Sequence, residues 1–210
     1  MLKHIVFDFD GTLADSTDIG LQIIDDLSEK YKLRKFTKQE LLSINHLPIK
    51  ERLKLVGIPL YRIPQLLLEG LSRYKVLING LKTFEGIQDM ILNLKDQGFT
   101  LSIISSNSVE NIEYFLQKHK LKHFDHVISA NSLFGKDKSL RNYLKKFKVP
   151  GNELIYVGDE IRDIEACKKL NLRVISVIWG YDSIELLKSG KPDYICYKPA
   201  DILKIVKTLK

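Results

Sequence analysis

The sequence predicts an α/β fold, in which an open parallel sheet has helices on both faces and a small all-helical unit follows the first strand. Three observations support this prediction. The chain begins with a short apolar run, HIVF at 4–7, which has the composition of a buried strand. Apolar residues at helical spacing occupy most of residues 16–80. Thereafter, short apolar runs alternate with amphipathic segments, a pattern that indicates right-handed crossovers and a parallel sheet.

Composition indicates a globular protein. The chain has 210 residues, 44% hydrophobic and 28% charged, enough for one domain of ordinary size and a smaller one. No apolar run approaches the roughly 20 residues of a membrane span. Cys167 and Cys196 lie far apart in apolar settings, which favours free thiols in a reducing cytoplasm over a disulfide framework. We therefore expect a cytoplasmic protein without a membrane segment, either a monomer or a homodimer.

The net charge of +7 has part of its excess between Lys30 and Lys38. Nucleic-acid binding is one interpretation of such a run, and a solvated basic face is the other. We favour the solvated face, because the lysines are not interleaved with aromatic residues that would stack on bases. A basic surface would also attract a small anionic substrate.

The predicted elements divide the chain into two parts. A core of residues 1–15 and 81–210 contains the sheet, and residues 16–80 form the helical unit. The helices expected in this unit cover 17–31, 38–44, 49–56 and a longer stretch from 60 onward. The strands expected after it are 100–105, 126–129, 154–157, 173–178 and 194–196. The helices expected between and after them are 86–97, 109–119, 137–147, 161–170 and a last one from 200 onward.

Asp8 and Asp10 directly follow the first predicted strand, in HIVFDFDGTLADS. Side chains two residues apart in a strand point the same way, so both carboxylates should leave the strand end together. The carboxyl end of a central strand is where open α/β sheets place their ligands. Two close carboxylates are tolerated when a divalent cation lies between them, when one is protonated, or when both are solvated. The spacing alone favours a solvated turn.

Ser106 and Asn107 end another apolar run, LSIISSNS at 101–108. A hydroxyl group at a strand end can hold a phosphate oxygen beside backbone N–H groups. A serine here would equally serve as a helix cap, and this stretch alone does not decide between the two.

Two further segments carry chemistry-bearing residues. In LIYVGDEIRD, Asp159 ends a strand and Asp163 lies in the first turn of the following helix. Hard carboxylate oxygens suit Mg²⁺, although capping of that helix explains the pair as well. In FGKDKSL at 134–140, Lys136 or Lys138 could neutralise a phosphate together with an attacking carboxylate. Most lysines, however, are surface residues.

Together the four segments, in this order, resemble the four motifs of the haloacid dehalogenase superfamily in its phosphatase form. The resemblance covers the chain outside the helical unit and implies a Rossmann-like parallel sheet. It implies that Asp8 is the nucleophile and Asp10 the general acid/base. The sequence departs from the family's motifs at two places. Glu85 stands where members often have proline, and the third motif lacks its proline. The second departure leaves Lys136 and Lys138 as alternatives, with Lys136 preferred.

The remaining roles implied by the resemblance concern binding. Phosphate would be held by Ser106, Asn107 and Lys136. The cofactor would be Mg²⁺, and its implied ligands are Asp8, the backbone carbonyl of Asp10, Asp159 and Asp163. Glu160 is expected to point outward.

The helical unit resembles the family's cap domain of the phosphoglycolate phosphatase-like branch, which closes over the site and selects the substrate. Hinges are expected near 14–16 and 80–85. Residues 45–50 resemble a specificity loop, so Lys50 and Arg52 could meet a substrate carboxylate or second phosphate; surface charge explains them equally well. WGYDSIELL at 179–187 also resembles this branch, with Trp179 a packing residue.

The resulting hypothesis is a Mg²⁺-dependent phosphatase that hydrolyses a small phosphomonoester through an aspartyl-phosphate. Its partner would be a small phosphorylated metabolite: phosphoglycolate, a sugar phosphate or a nucleotide. A phosphomutase similar to β-phosphoglucomutase is the first alternative. A dehalogenase is the second alternative, although it would need neither Asp10 nor a metal. A phosphate- or nucleic-acid-binding protein without turnover is the last alternative.

Overall fold

A parallel sheet forms the centre of the molecule. A computed structural model describes residues 1–130 and 135–209. Its strands are β1 (His4–Phe7), β2 (Ala14–Asp15), β3 (Lys82–Thr83), β4 (Thr100–Ser105), β5 (His126–Ser129), β6 (Leu154–Gly158), β7 (Arg173–Val177) and β8 (Tyr194–Cys196). Within the described residues, six of them pair in parallel in the order β5–β4–β1–β6–β7–β8. The predicted α/β class, with a Rossmann-like parallel sheet, is confirmed.

Helices connect the strands and cover both faces of the sheet. They are α1 (Thr17–Tyr31), α2 (Lys38–Ser43), α3 (Ile49–Leu55), α4 (Ile63–Leu77), α5 (Ile87–Asp96), α6 (Val109–Lys118), α7 (Lys136–Phe147), α8 (Ile161–Lys168), α9 (Ile184–Ser189) and α10 (Pro199–Leu209). The predicted elements agree with these to within a few residues. The fourth helix begins later than expected, because a 3₁₀ turn at Leu60–Arg62 precedes it and Pro64 occupies its first turn, where no N–H bond is needed.

Strand β1 is central because it is apolar on both faces. Ile5, Val6 and Phe7 have no exposed surface. Ile5 and Phe7 pack into the core on one face, and Val6 packs into a second core on the other. This burial fixes where β1 ends, and the two aspartates that follow therefore emerge in the middle of one sheet edge.

A short antiparallel ribbon joins the sheet to helices α1–α4. Strand β2 pairs with β3, so that Ala14 lies opposite Thr83 and Asp15 opposite Lys82. The ribbon spans the two regions where the sequence predicts hinges, and its two-residue strands are too short to produce a periodic pattern. The chain therefore enters and leaves the helical segment 16–80 side by side.

The basic run of the helical segment is largely paired with carboxylates of the same segment. Lys30 pairs with Glu69, Arg34 with Glu40, Lys35 with Glu29 and Lys38 with Asp18. These exposed pairs reduce the local positive charge that a nucleic-acid surface would require. No described helix is long and apolar enough to cross a membrane. Both cysteines are buried free thiols.

Candidate active site

Asp8 and Asp10 leave β1 as expected, but their carboxylates lie in different surroundings. Asp8 is 2% exposed, and Phe9 between the two aspartates is fully buried in the core. Oδ1 of Asp8 accepts a hydrogen bond of 2.8 Å from the backbone N–H of Phe9. The turn after β1 thus fixes the Asp8 carboxylate by its own backbone and leaves Oδ2 for other partners.

Lys136 lies between Asp8 and Asp163. Its Nζ donates to Oδ2 of Asp8 at 2.5 Å and also donates to Oδ1 of Asp163. All three side chains are almost fully buried. Lys138 is exposed, so the structure brings Lys136 to the carboxylates and leaves Lys138 at the surface. Phe134 of the same predicted motif lies outside the described residues.

Asp159 comes from the end of β6 and is held from two sides. Thr12 Oγ1 donates to its Oδ1 at 2.7 Å, and the backbone N–H of Tyr181 donates to its Oδ2 at 2.8 Å. Gly11 makes this approach possible: its φ is +73°, and a Cβ atom there would lie 2.2 Å from Oδ2 of Asp159. The DGT turn after the first strand therefore provides both the space and a hydrogen bond for Asp159, which lies about 150 positions later in the chain.

The arrangement of Asp8, Asp159 and Asp163 fits a hard metal ion. One carboxylate oxygen from each lies within 4.8 Å of the others. Burial raises the pKa of Asp159 well above its usual value, and neighbouring carboxylates, Glu160 first among them, raise it further. Burial also raises the pKa of Asp163, although Lys136 opposes the shift. The buried carboxylates carry more negative charge than one ammonium group neutralises, and a divalent cation would compensate the remainder.

The carboxylate of Asp10 points away from this cluster. Tyr74 Oη donates to its Oδ1 at 2.7 Å, and Asn107 Nδ2 donates to its Oδ2 at 2.9 Å. Burial raises the pKa of Asp10, while the hydrogen bonds from Tyr74 and Asn107 lower it. Asp10 is therefore held as a separate carboxyl with a raised pKa, a property that a general acid needs.

Ser106 and Asn107 reach the site from the end of β4. Ser106 is half-buried, and both residues line the same cavity as Asp10. Ser105 Oγ accepts a hydrogen bond of 3.2 Å from the backbone N–H of Asn107, and Ser108 caps α6. The helix-cap interpretation therefore belongs to Ser108, whereas Ser106 faces the cavity.

Glu160 was expected to point outward, and this expectation is wrong. It is 5% exposed, forms an ion pair with Arg162 and shares a reciprocal capping arrangement with Asp163 at the start of α8. The capping hydrogen bonds at the start of α8 and the ion pair with Arg162 keep the Glu160 carboxylate buried.

The cap residues selected from the sequence lie apart from the cluster. Lys50 is exposed at the surface. Arg52 lines the cavity, but its guanidinium donates to the Asp182 carboxylate and to the backbone carbonyl of Asn45. Arg52 thus joins the helical segment to the loop after β7.

Three residues at the site were not selected from the sequence. Tyr74 comes from α4, 64 positions from its partner Asp10. Thr12 belongs to the first motif and was overlooked there. Tyr181 uses its backbone to hold Asp159, and its hydroxyl lies 2.6 Å from Ser16 Oγ. Of these three residues, only Thr12 could have been found from the sequence, because it belongs to the DGT motif. The contacts of the two tyrosines depend on how distant segments pack.

The chain is similar to known proteins in sequence and in fold. The model of a family described as haloacid dehalogenase-like hydrolase matches residues 5–177. The chain is 27% identical over 209 residues to the phosphoglycolate phosphatase of Synechococcus elongatus, covering 99% of both chains. It is 23% identical over 214 residues to the pyrophosphatase PpaX of Anoxybacillus flavithermus, covering 98% of this chain and 97% of that one. A predicted phosphatase from Clostridium acetobutylicum shares the fold, with a TM-score of 0.86 at 22% identity over 99% of each chain.

Proposed function

The chain belongs to the haloacid dehalogenase-like hydrolase family and is a phosphatase of that family, and we propose that it hydrolyses a small phosphomonoester through a phosphorylated Asp8, with Mg²⁺ as its metal. One observation carries the proposal. Two carboxylates only two residues apart have different hydrogen-bond partners. Asp8 contacts the Lys136 ammonium group, and Asp10 contacts neutral donors. Different surroundings for paired carboxyls indicate different roles in one reaction.

Asp8 is the nucleophile in this proposal. An oxygen of its carboxylate forms a bond to phosphorus while the bond from phosphorus to the ester oxygen breaks. The backbone N–H of Phe9 fixes the orientation of the carboxylate. The charge of Lys136 allows a phosphate dianion to approach an ionised carboxylate, because it offsets part of their repulsion.

Asp10 transfers the proton in both half-reactions. It first donates its proton to the leaving oxygen, and the alcohol departs. It then takes a proton from the water that attacks the phosphorylated Asp8, which releases phosphate and restores both carboxyls. Tyr74 and Asn107 hold Asp10 in the position that both transfers require.

Ser106, Asn107 and Lys136 are the proposed phosphate-binding groups. The site also fits Mg²⁺, with Asp8, Asp159 and Asp163 as carboxylate ligands beside the backbone carbonyl of Asp10. When bound, the metal supplies positive charge that stabilises the transferring phosphoryl group.

Residues 16–80 act as a cap in this proposal, and residues 1–15 with 81–210 form the catalytic core, of which 131–134 and Lys210 lie outside the described residues. The β2–β3 ribbon supports the division, because both crossings lie side by side. The substrate class is a small phosphorylated metabolite. A reducing cytoplasm suits the buried thiols of Cys167 and Cys196.

The test is phosphate release from small phosphomonoesters, with and without Mg²⁺, by wild type and Asp8→Asn. Asp15→Asn is the matched control, because Asp15 is an exposed aspartate on β2. We expect metal-dependent release that Asp8→Asn abolishes and Asp15→Asn preserves. Hydroxylamine trapping of an acyl-phosphate in wild type alone would support the intermediate. Full activity in Asp8→Asn would exclude it.

The same assays separate the alternatives. A phosphomutase would require a bisphosphate activator and release no net phosphate. A dehalogenase would release chloride from a haloacid without metal. Salt-dependent nucleic-acid binding by a folded protein that turns over no substrate would favour the binding alternative.

A further inference from the structure

A cavity of about 400 Å³ lies between the helical segment and the carboxyl edge of the sheet. Asp10, Ser106 and Asn107 are among its lining residues, so the cavity is continuous with the proposed reacting centre. Helices α1, α2, α3 and α4 supply its walls. Its volume falls in the range of pockets that take ligands larger than a two-carbon acid. The part of a phosphomonoester that extends from phosphorus beyond Asp10 would enter this space.

The walls of the cavity are aliphatic. Half-buried leucine and isoleucine side chains from the helical segment line it, among them Leu21, Ile24, Leu41, Ile49, Leu53 and Leu67. Their remaining exposure means that they are not fully covered by the protein's own core. An apolar group placed among them would remove that surface from water, which is favourable in proportion to the area buried.

The cations of the cavity are already matched by carboxylates. Among the described residues that line it, the positively charged ones are Arg52 and Arg162. Arg52 is paired with Asp182, and Arg162 with Glu160. A second anionic group on the substrate would have to displace a buried carboxylate from its partner, and breaking a buried pair is strongly unfavourable.

We propose that the substrate's leaving group is uncharged and apolar: an aliphatic or aromatic alcohol seated among the helices of the segment. The inference rests on the proposed phosphatase function and specifies its substrate class. A carboxylate, as in phosphoglycolate, or a second phosphate, as in pyrophosphate, is disfavoured by the paired arginines. The apolar walls select for length and hydrophobicity instead.

The test is a series of alkyl phosphates, ethyl, butyl and hexyl, compared with 2-phosphoglycolate and pyrophosphate. The alkyl alcohols are leaving groups of similar basicity, so their ranking reports binding by the walls rather than intrinsic reactivity. We expect kcat/KM to rise about fourfold per methylene until the cavity is filled. We also expect phosphoglycolate to rank below ethyl phosphate. The inference is overturned if kcat/KM does not rise with chain length, or if phosphoglycolate exceeds the longer alkyl phosphates.

A charge-introducing variant tests the wall directly. Leu71 is half-buried, lines the cavity and lies one turn before Tyr74 on α4. In Leu71→Lys we expect kcat/KM for hexyl phosphate to fall at least about tenfold, since the wall then holds a charge, while phosphoglycolate improves. Leu68→Lys is the matched control, because Leu68 is 70% exposed on the same helix. Equal effects of the two substitutions would contradict the role of the wall.

Acetyl phosphate distinguishes this inference from the function on which it rests. Its small leaving group does not reach far into the cavity, so its turnover reports the reacting centre. If acetyl phosphate is hydrolysed and alkyl length has no effect, only the leaving-group inference fails. If nothing is hydrolysed, the proposed function fails and the leaving-group assignment fails with it. The apolar preference of the cavity is then tested by binding: hexylphosphonate should raise Tm more than phosphonoacetate. The reverse order would overturn that preference.

Discussion

The ion pair between Arg52 and Asp182 joins the helical segment to the sheet, and its removal should destabilise the protein in a pH-dependent way. The two side chains are only 14% and 2% exposed. Arg52 also donates to the carbonyl oxygens of Leu47 and Asn45, at 2.6 and 2.7 Å. Asp182 accepts a 2.6 Å bond from the backbone N–H of Ile161. We expect Arg52→Met to lower Tm strongly near pH 8 and only weakly near pH 5.

The sign of this dependence follows from the pKa of Asp182. That pKa is raised from 3.8 to about 6: burial raises it most, the charge of Glu160 raises it further, and Arg52 opposes the shift. A shift of about two units means that ionising Asp182 costs the folded protein about 3 kcal/mol. The folded-state pKa exceeds the unfolded one, so this cost is absent below about pH 4 and is complete above about pH 6. Without Arg52 the pKa rises further, and the variant continues to lose stability above that pH.

The magnitude can be worked from the same contacts. Leaving a buried carboxylate without its cation destabilises a protein by about 3–5 kcal/mol. A chain of this length loses roughly 2–4 °C of Tm per kcal/mol, so Tm should fall by about 10 °C near pH 8. Near pH 5 Asp182 is largely protonated. Only the bonds to Leu47 and Asn45 are then lost, at about 1 kcal/mol each, and Tm should fall by a few degrees.

The assay is thermal unfolding at both pH values for Arg52→Met, Asp182→Asn and the double variant. In the Asp182→Asn background, the effect of Arg52→Met should no longer depend on pH. Arg34→Met is the matched control, because Arg34 forms an exposed pair with Glu40 in the same segment and should change Tm little at either pH. A Tm loss of equal size at both pH values, or none near pH 8, would refute the reasoning.

Three further predictions concern the reacting centre. Tyr74→Phe removes one hydrogen-bond donor to Asp10 and should lower kcat/KM at least about tenfold. Tyr31→Phe removes a hydroxyl group from the same helical segment and should leave kcat/KM unchanged. Equal losses in the two variants would contradict the positioning role of Tyr74. Gly180→Ala should lower both Tm and activity, because its Cβ would lie 2.2 Å from Oδ2 of Asp159; an unchanged Tm would show that this loop yields without strain. Mg²⁺ should raise Tm by mass action and EDTA should reverse the rise, and the absence of a shift at saturating Mg²⁺ would contradict the metal site.

The local part of the site was predictable from sequence because each of its residues follows a strand. Asp8, Ser106 and Asp159 end β1, β4 and β6, which are neighbours in the sheet. Parallel neighbours place their carboxyl ends at one edge, so short-range patterns were sufficient to bring these side chains together. Lys136 instead begins a helix, α7, and its ammonium group contacts the Asp8 carboxylate at the same edge.

Contacts between the helical segment and the sheet were not predictable. Tyr74 contacts Asp10, and Arg52 contacts Asp182, across 64 and 130 positions of chain. Neither contact leaves a periodic signal, and the sequence left two interpretations of Arg52 open, a substrate contact or a surface charge. Its charge is instead matched by a carboxylate from the loop after β7. Sequence could identify the cation but not what neutralises it.

The same limit explains why the substrate could not be read from the motifs. An amphipathic helix shows that one face will be covered, but not whether protein or ligand covers it. In the helical segment, Leu27 is buried in the core shared with the sheet, whereas Leu53 and Leu67 remain half-buried around the cavity. The residues that would perform the chemistry lie at strand ends, where local sequence defines them. Those that would select the leaving group lie on surfaces that exist only after α1–α4 dock onto the sheet.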